Sequence, residues 1–440
     1  MNAKPLGLVF FPAFDWAISP SHPEREERLL YTRDQIVEEG LLDMPAIREY
    51  KPRLAQVKDA ERIHLGVPDI ASLITDAHLV SAGGAITAAE AVMRREVSRA
   101  FALVRPPGHH AMRVVHGTRG FCTINIEAVM VEYLRQHHGI GRVAIVDTDV
   151  HHGDGTQDIF YHDPDTLFIS FHQDGRTLYP GSGFTDEAGS PKALGTTINL
   201  PLPPGTTDEG LHYVLDHLIL PVLEEFQPDI IINSAGQDNH YSDPLANMAI
   251  TAQGYARLAE KLRADIAVLE GGYSIEDALP YVNTGIILAM AGMDYSKVIE
   301  PDIAKAPRGE SESARAYIKQ LVAKQNGLWK DRSRLSREAV AKAGDYWQRR
   351  RGIYYDDSGI NEQQTEKLRL CPDCQGVLTI ATEAEGHRFG GNTAFAAVIP
   401  RHSCPRCRQE GRDAVLAARK AGQYQHCFIQ DRERDELERV

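Results

Sequence analysis

Six short, largely apolar runs recur between longer amphipathic stretches and limit what this chain can fold into. They are FALV (101–104), VAIV (143–146), LFIS (167–170), TINL (197–200), IIIN (230–233) and IAVL (266–269). Helix-like patterns separate most of them, as in GFCTINIEAVMVEYLRQHH and EGLHYVLDHLILPVLEEF. Strands alternating with helices imply a largely parallel α/β sheet. Right-handed crossovers then bring every strand's C-terminal end to one edge, where ligands of such folds bind. Five of the six runs are followed by polar or glycine-rich chemistry. Arg105-Pro-Pro-Gly-His109-His110 follows the first, and Asp147, Asp149 and His151 the second. Ser170 and His172 close the third, Ser234-Ala-Gly-Gln-Asp238 the fifth, and Glu270-Gly-Gly-Tyr273 the last. Polar residues merely filling loops do not explain that regularity, so the runs read as the walls of one active site.

Residues 143–158, RVAIVDTDVHHGDGTQ, carry the densest signal. Asp147, Asp149 and His151 alternate, so on an extended strand end they point to one side. Such a group at the end of an apolar strand is costly unless a cation binds it. Asp149, His151 and Asp238 together make an O/N/O set with an open position, the pattern of a catalytic metal site. Taken alone, SAGQDNHYSDP reads first as an ordinary polar loop, and only its position after a parallel strand strengthens Asp238 as a ligand. The tandem His109-His110 suits proton transfer to and from a substrate, although two adjacent histidines by themselves are more often surface residues, as His137-His138 is read here. Each imidazole needs an acceptor to fix its tautomer, and Asp147 and Asp154 are left over from the metal to supply it. Tyr273 after two glycines could donate a hydrogen bond to a developing oxyanion, or simply pack at the rim.

The net charge of −13 argues against a general nucleic-acid binder. No 18-residue apolar run is present, so no membrane span is expected. The N-terminal stretch MNAKPLGLVFFPAFDW reads as a first strand rather than a signal peptide, and the expected location is cytoplasmic. Four of the six cysteines form two C-x-x-C pairs, which indicates metal chemistry in a reducing compartment.

In chain order, RPPGHHA, GFCTIN, DTDVHHGDGTQ, FISFHQ with YPGSG, INLPLPPG, SAGQD with SDPL, and LEGGY resemble the zinc-dependent histone deacetylase family, and HPEREERL (22–29) fits the same pattern. The resemblance covers residues 5–295 and is to a class II-like or prokaryotic member of the arginase/deacetylase superfamily. It implies a three-layer α/β fold around a mostly parallel sheet of about eight strands. It implies removal of an acetyl or other acyl group from an amine, foremost the ε-amine of acyl-lysine in proteins, by a zinc-activated water with tandem-histidine acid/base catalysis. The alternative is a small acylated amine, such as an acetylpolyamine or a biosynthetic intermediate. Carried over by position, Asp149, His151 and Asp238 match the zinc ligands. His110 matches the general base and acid, and His109 its electrostatic partner. Asp147 and Asp154 match the carboxylates that hold His109 and His110, and Tyr273 the carbonyl-polarising phenol. Gly120, Phe121 and Tyr179 match the substrate tunnel. Asp147, Ser170 and Phe171 fall where the family places a structural K+. Leu245 stands at the position of an acidic gatekeeper in polyamine-preferring relatives, which argues for an uncharged mouth. The segment AMRVVHGTRG, with Arg113, His116 and Arg119, is longer than in eukaryotic members, so a remodelled rim is expected.

Residues 1–300 are expected to form the catalytic domain, 301–365 a charged helical arm, 366–412 a small zinc-ribbon-like domain, and 413–440 a terminal helix and frayed tail. Cys371, Cys374, Cys404 and Cys407 would close a tetrahedral structural Zn2+ site; a redox dithiol or simple packing are the other readings. His387, His402 and Cys427 are reserve ligands. Arg350, Arg351, Arg401, Arg406 and Arg408 would permit nucleic-acid contact, but a solvated basic face is the favoured reading. Recruitment or self-association into a homo-oligomer is an equal use of such a module.

Overall fold

A computed structural model of the chain describes residues 4–11, 16–307, 309–386 and 390–440. Eight strands form one sheet: β1 (Leu6–Phe11), β2 (Ile47–Tyr50), β3 (Arg99–Val104), β4 (Val143–Asp147), β5 (Thr166–Gln173), β6 (Thr197–Leu202), β7 (Ile230–Ala235) and β8 (Ile266–Leu269). Their order is β2-β1-β3-β8-β7-β4-β5-β6, and every neighbouring pair is parallel. All six apolar runs lie in these strands. Both faces are buried, as an all-parallel sheet requires. In β4, Ala144 and Val146 join one core cluster, with the helices Ala252–Leu262 and Leu279–Ala291. Val143 and Ile145 join the other, with the helices Asp76–Met93 and Ile126–His138. The result is the three-layer arrangement expected.

Local chemistry sets the boundaries. The helix Ile126–His138 starts where the Asn125 side chain accepts from the Ala128 N–H and ends at Gly139, whose φ is 66°. EGLHYVLDHLILPVLEEF is helical as its pattern implies, but Leu215–Ile219 is a π-helical turn just before Pro221, which has no N–H to continue the ladder.

The C-terminal third differs from the sequence reading in three places. Within 301–365 the charged helix, Glu312–Ala343, stops at Gly344. The segment that follows, expected as part of a helical arm, is strand β9 (Tyr346–Tyr355), then β10 (Ile360–Arg369). The cysteine region is no isolated ribbon, because β9 and β10 continue into β11 (Leu378–Gly386) and β12 (Gly390–Ile399) as one antiparallel meander. The terminal helix begins earlier, at Pro405, and runs to Ala421. The expected frayed tail instead forms β13 (His426–Asp431), parallel to β12, and β14 (Glu436–Arg439). Burial explains the last point, since Cys427, Phe428 and Ile429 are core residues of the six-stranded sheet.

One face of this second sheet packs on the catalytic body. Leu368, Leu378 and Ile380 meet Leu65, Val67 and Val114, while Ile353, Tyr355 and Ile360 meet Met112. The opposite face carries the helix Pro405–Ala421 through Ile399, Cys407 and Val415. The long AMRVVHGTRG segment is therefore the seat of the C-terminal sheet. His116 Nε2 lies 3.1 Å from Thr382 Oγ1, and the Tyr355 hydroxyl donates to the Val114 carbonyl at 2.8 Å. Among the described residues, no helix is long and apolar enough to cross a membrane.

Candidate metal and catalytic site

The site lies at the C-terminal edge of the first sheet. Asp149 and His151 follow β4, Asp238 follows β7, and the ligand atoms of these three residues lie within 4.8 Å of one another. The imidazole Nδ1 of His151 stands 3.2 Å from Asp149 Oδ1 and 3.1 Å from Asp238 Oδ2. Backbone N–H groups hold the other oxygens: Gly271 donates to Asp149 Oδ2 at 2.7 Å and Val150 to Asp238 Oδ1 at 2.8 Å. Both carboxylates are wholly buried. Two converging anions in such a place need a cation, and two carboxylates with one imidazole suit zinc with a position left open.

His109 and His110 enter from the end of β3. Their rings stand 4.1 Å apart between centroids. His109 Nδ1 faces Asp147 Oδ2 at 3.1 Å, and His110 Nδ1 faces Asp154 Oδ1 at 2.8 Å. The environments push the two apart. Burial, then the neighbouring charges of His109 and Arg119, drive His110 well below the ordinary imidazole range, which keeps it neutral. Burial also works against a charged His109, but Asp149 and Asp147 outweigh it and push His109 up to about 9. Burial keeps the Tyr273 phenol protonated, well above its usual range.

Several supporting residues lie within the named motifs but have no role of their own in the sequence reading. Glu270, fully buried, accepts from the N–H groups of Gly108 (2.8 Å) and His109 (3.0 Å) and so fixes the loop bearing both histidines. The Tyr273 N–H donates to Asp243 Oδ2 at 2.7 Å. The buried guanidinium of Arg28 lies 4.9 Å from the Tyr273 ring centroid, donates to the Gly272 carbonyl at 2.9 Å and pairs with Glu24. HPEREERL thus packs beneath the phenol. Arg119 bridges both oxygens of Asp154 (3.1 and 2.8 Å) and donates to the Tyr179 hydroxyl at 2.9 Å.

The residues matched to a tunnel are together at the rim. The Phe121 ring stands edge-on to Tyr273 at 5.6 Å and Tyr179 edge-on to His110 at 5.1 Å. An added Cβ on Gly120 would come 2.5 Å from the His110 ring, so only glycine fits there. Leu245 is half-buried on the loop that Asp243 ties to Tyr273. Ser170 pairs in register with Asp147, its Oγ 2.9 Å from His172 Nδ1, and Phe171 is buried in the core. His137 and His138 sit at a helix end, away from this site.

At the edge of the second sheet, Cys371, Cys374, Cys404 and Cys407 bring their sulfurs within 4.8 Å of one another. Cys371 and Cys404 sulfurs are 3.9 Å apart, contact distance rather than a disulfide. Four converging thiols form a closed set suited to a structural metal. Cys427 and His402 are not in this group, and His387 lies outside the described residues. Of the arginines that would permit nucleic-acid contact, Arg351 pairs with Asp158 and Glu366, Arg401 with Glu132, and Arg408 with Asp431 and Glu433.

The family model for the histone deacetylase domain matches residues 69–290. The chain belongs to the histone deacetylase family. A probable deacetylase from Archaeoglobus fulgidus is 47% identical over 324 residues, taking in 67% of this chain and 89% of that protein. An acetylpolyamine amidohydrolase from Burkholderia pseudomallei is 42% identical over 201 residues, 44% of this chain and 57% of that protein. Among solved structures, the crystal structure of the HDA15 HD domain superposes with a TM-score of 0.64 at 26% identity, covering 77% of this chain and 99% of that one. This histone deacetylase family member is a hydrolase of acylated amides, and the family implies a catalytic zinc.

Proposed function

We propose that this family member removes acetyl or another acyl group from an amine, with the ε-amine of acyl-lysine in proteins as its main substrate. One observation carries the reading: beside the Asp149–His151–Asp238 set stand two histidines, each backed by its own carboxylate. When bound there, zinc supplies a Lewis acid for the carbonyl and lowers the pKa of water. Neutral His110, oriented by Asp154, takes the proton of the attacking water and returns it to the departing amine. His109, held by Asp147, keeps positive charge beside the developing negative charge. The Tyr273 phenol donates a hydrogen bond to the oxyanion. Phe121 and Tyr179 flank the methylene chain of the substrate, and Leu245 leaves the mouth without a charge on its own side. A K+ ion near Asp147, Ser170 and Phe171 and a zinc held by the four cysteines belong to the same proposal as structural ions.

A small acylated amine is the second reading. The observation favouring it is a pair of carboxylates, Asp356 and Asp357, brought to the rim by the C-terminal sheet, since negative charge there would attract a cationic amine. Steady-state competition among an acetyl-lysine peptide, an acetylated polyamine and a neutral acetamide decides between them. The peptide is expected to be turned over with the highest kcat/KM. Preference for the polyamine would overturn the main reading, and hydrolysis of none of the three would overturn both.

A further inference from the structure

The tip of the β9–β10 hairpin, Tyr355-Asp356-Asp357-Ser358, reaches from the C-terminal sheet to the active-site rim. Asp356 Oδ1 accepts from the Gly120 N–H at 3.0 Å and from the Tyr179 hydroxyl at 3.2 Å. Asp357 Oδ2 accepts from the Phe121 N–H at 2.8 Å, and its other oxygen lies 3.9 Å from His22 Nε2. Ser358 Oγ accepts from the Thr118 N–H at 2.9 Å. Both residues so held are left-handed: Gly120, at φ of 52°, adopts this without cost, whereas Phe121, with a bulky side chain, is strained at φ of 70°. That conformation aims the Phe121 ring at Tyr273 and wedges it against His22, 4.3 Å between centroids. Asp356, through the Tyr179 hydroxyl, fixes the second aromatic wall beside His110 and His151. The three acceptors, Asp356, Asp357 and Ser358, lie beyond the stretch that matches the family model, residues 69–290.

We propose that Asp356 and Asp357 are positioning residues of the active site: by holding the Gly120–Phe121 peptides and the Tyr179 hydroxyl, they set the width and direction of the substrate entrance. The C-terminal sheet is then a working part of the catalytic pocket. The inference rests on the deacylase reading for its kinetic test and on the zinc site for a second, independent one.

The full chain, loaded with zinc, is compared with Asp356→Ala, Asp357→Ala and the two Asn variants. Each Ala variant is expected to raise KM about tenfold with kcat within about threefold of wild type. Asn keeps a carbonyl acceptor for the same N–H and is expected to recover most of that loss. A merely structural role would lower the apparent kcat through lost folded protein and leave KM unchanged, which would overturn the proposal. Wild-type KM in both Ala variants would do the same. An aliphatic hydroxamate, a zinc chelator on a methylene chain, reads the same rim by calorimetry without turnover. Its Kd is expected to weaken about tenfold in the Ala variants, and an unchanged Kd would overturn the proposal even if no acyl-amine substrate is found.

Discussion

A methyl group on Gly271 would stand 2.3 Å from Asp238 Oδ2 and 2.6 Å from Asp149 Oδ2, and one on Gly236 would stand 2.2 Å from Asp149 Oδ2. The backbone itself is the wall against which the two ligand carboxylates rest. Gly271→Ala is therefore expected to lose the catalytic zinc while keeping the structural metal proposed for the four cysteines. Metal analysis of the purified protein should fall from two ions per chain to one, and a variant that keeps both would refute this account of the wall. Tyr273→Phe removes only a hydroxyl. It is expected to lower kcat by about 10²-fold with an unchanged thermal unfolding curve; near-wild-type turnover would end the oxyanion role given to the phenol. At this scale the convergence of Asp149, His151 and Asp238 was legible because each of them, like Tyr273, closely follows an apolar run that becomes a strand. Arg28 and Asp356 were not assigned to the pocket. Their contacts with Gly272 and Gly120 span 244 and 236 residues, and no local spacing marks a side chain that acts through so distant a partner.

Among the elements, the apolar runs gave the parallel sheet its strands because central strands bury both faces and read as continuous apolar stretches. Ile47–Tyr50 went unread: it is an edge strand with a half-exposed sequence, IREY. The region of β11 and β12 was read as short strands, but β9 and β10 were hidden for another reason. β10 buries Glu362, Gln364 and Glu366, so a period-two search for apolar residues finds nothing. Those polar groups are satisfied by Tyr355, Arg349 and Arg351. A similar polar joint ties the helix Ile126–His138 to the second sheet. Burial would raise the carboxyl of Glu132, but Arg432, Arg135 and Arg401 outweigh it and hold it at about 2. A depressed folded pKa means that this joint stabilises fully above the ordinary carboxylate range and weakens as pH falls toward 2. Glu132→Gln is expected to cost about 3 kcal/mol at pH 7, and the difference from wild type should shrink in denaturant titrations at pH 3. A gap that does not change with pH would show that the arginines do not depend on this charge.

For the molecule as a whole, the second sheet shares apolar clusters with Leu65, Val67, Met112 and Val114 of the catalytic body, and the four-cysteine cluster is fastened to that body. Lys192 Nζ donates to the carbonyl of Cys374 at 2.6 Å and also to that of Cys371. Cys371→Ser with Cys374→Ser is expected to remove one metal per chain and lower Tm by about 5 °C or more, without displacing the catalytic zinc. Truncation after Gly344 would bare Leu65, Val67, Met112 and Val114, which the second sheet now covers. That shortened chain is expected to bind a hydrophobic dye and sediment as aggregates. A monodisperse, fully active truncation would show that the catalytic body stands alone.

The hairpin tip also bears on how the enzyme comes into being. Domains fold largely in the order in which they leave the ribosome. The acceptors for the Gly120 and Phe121 peptides arrive 236 residues after those peptides. A nascent chain that has already emerged past Tyr273 holds every zinc ligand and both histidines, yet its entrance is still unbraced. As proposed, the entrance is braced only once the β9–β10 hairpin has emerged and docked, so the mouth is formed after the metal ligands are already in the chain.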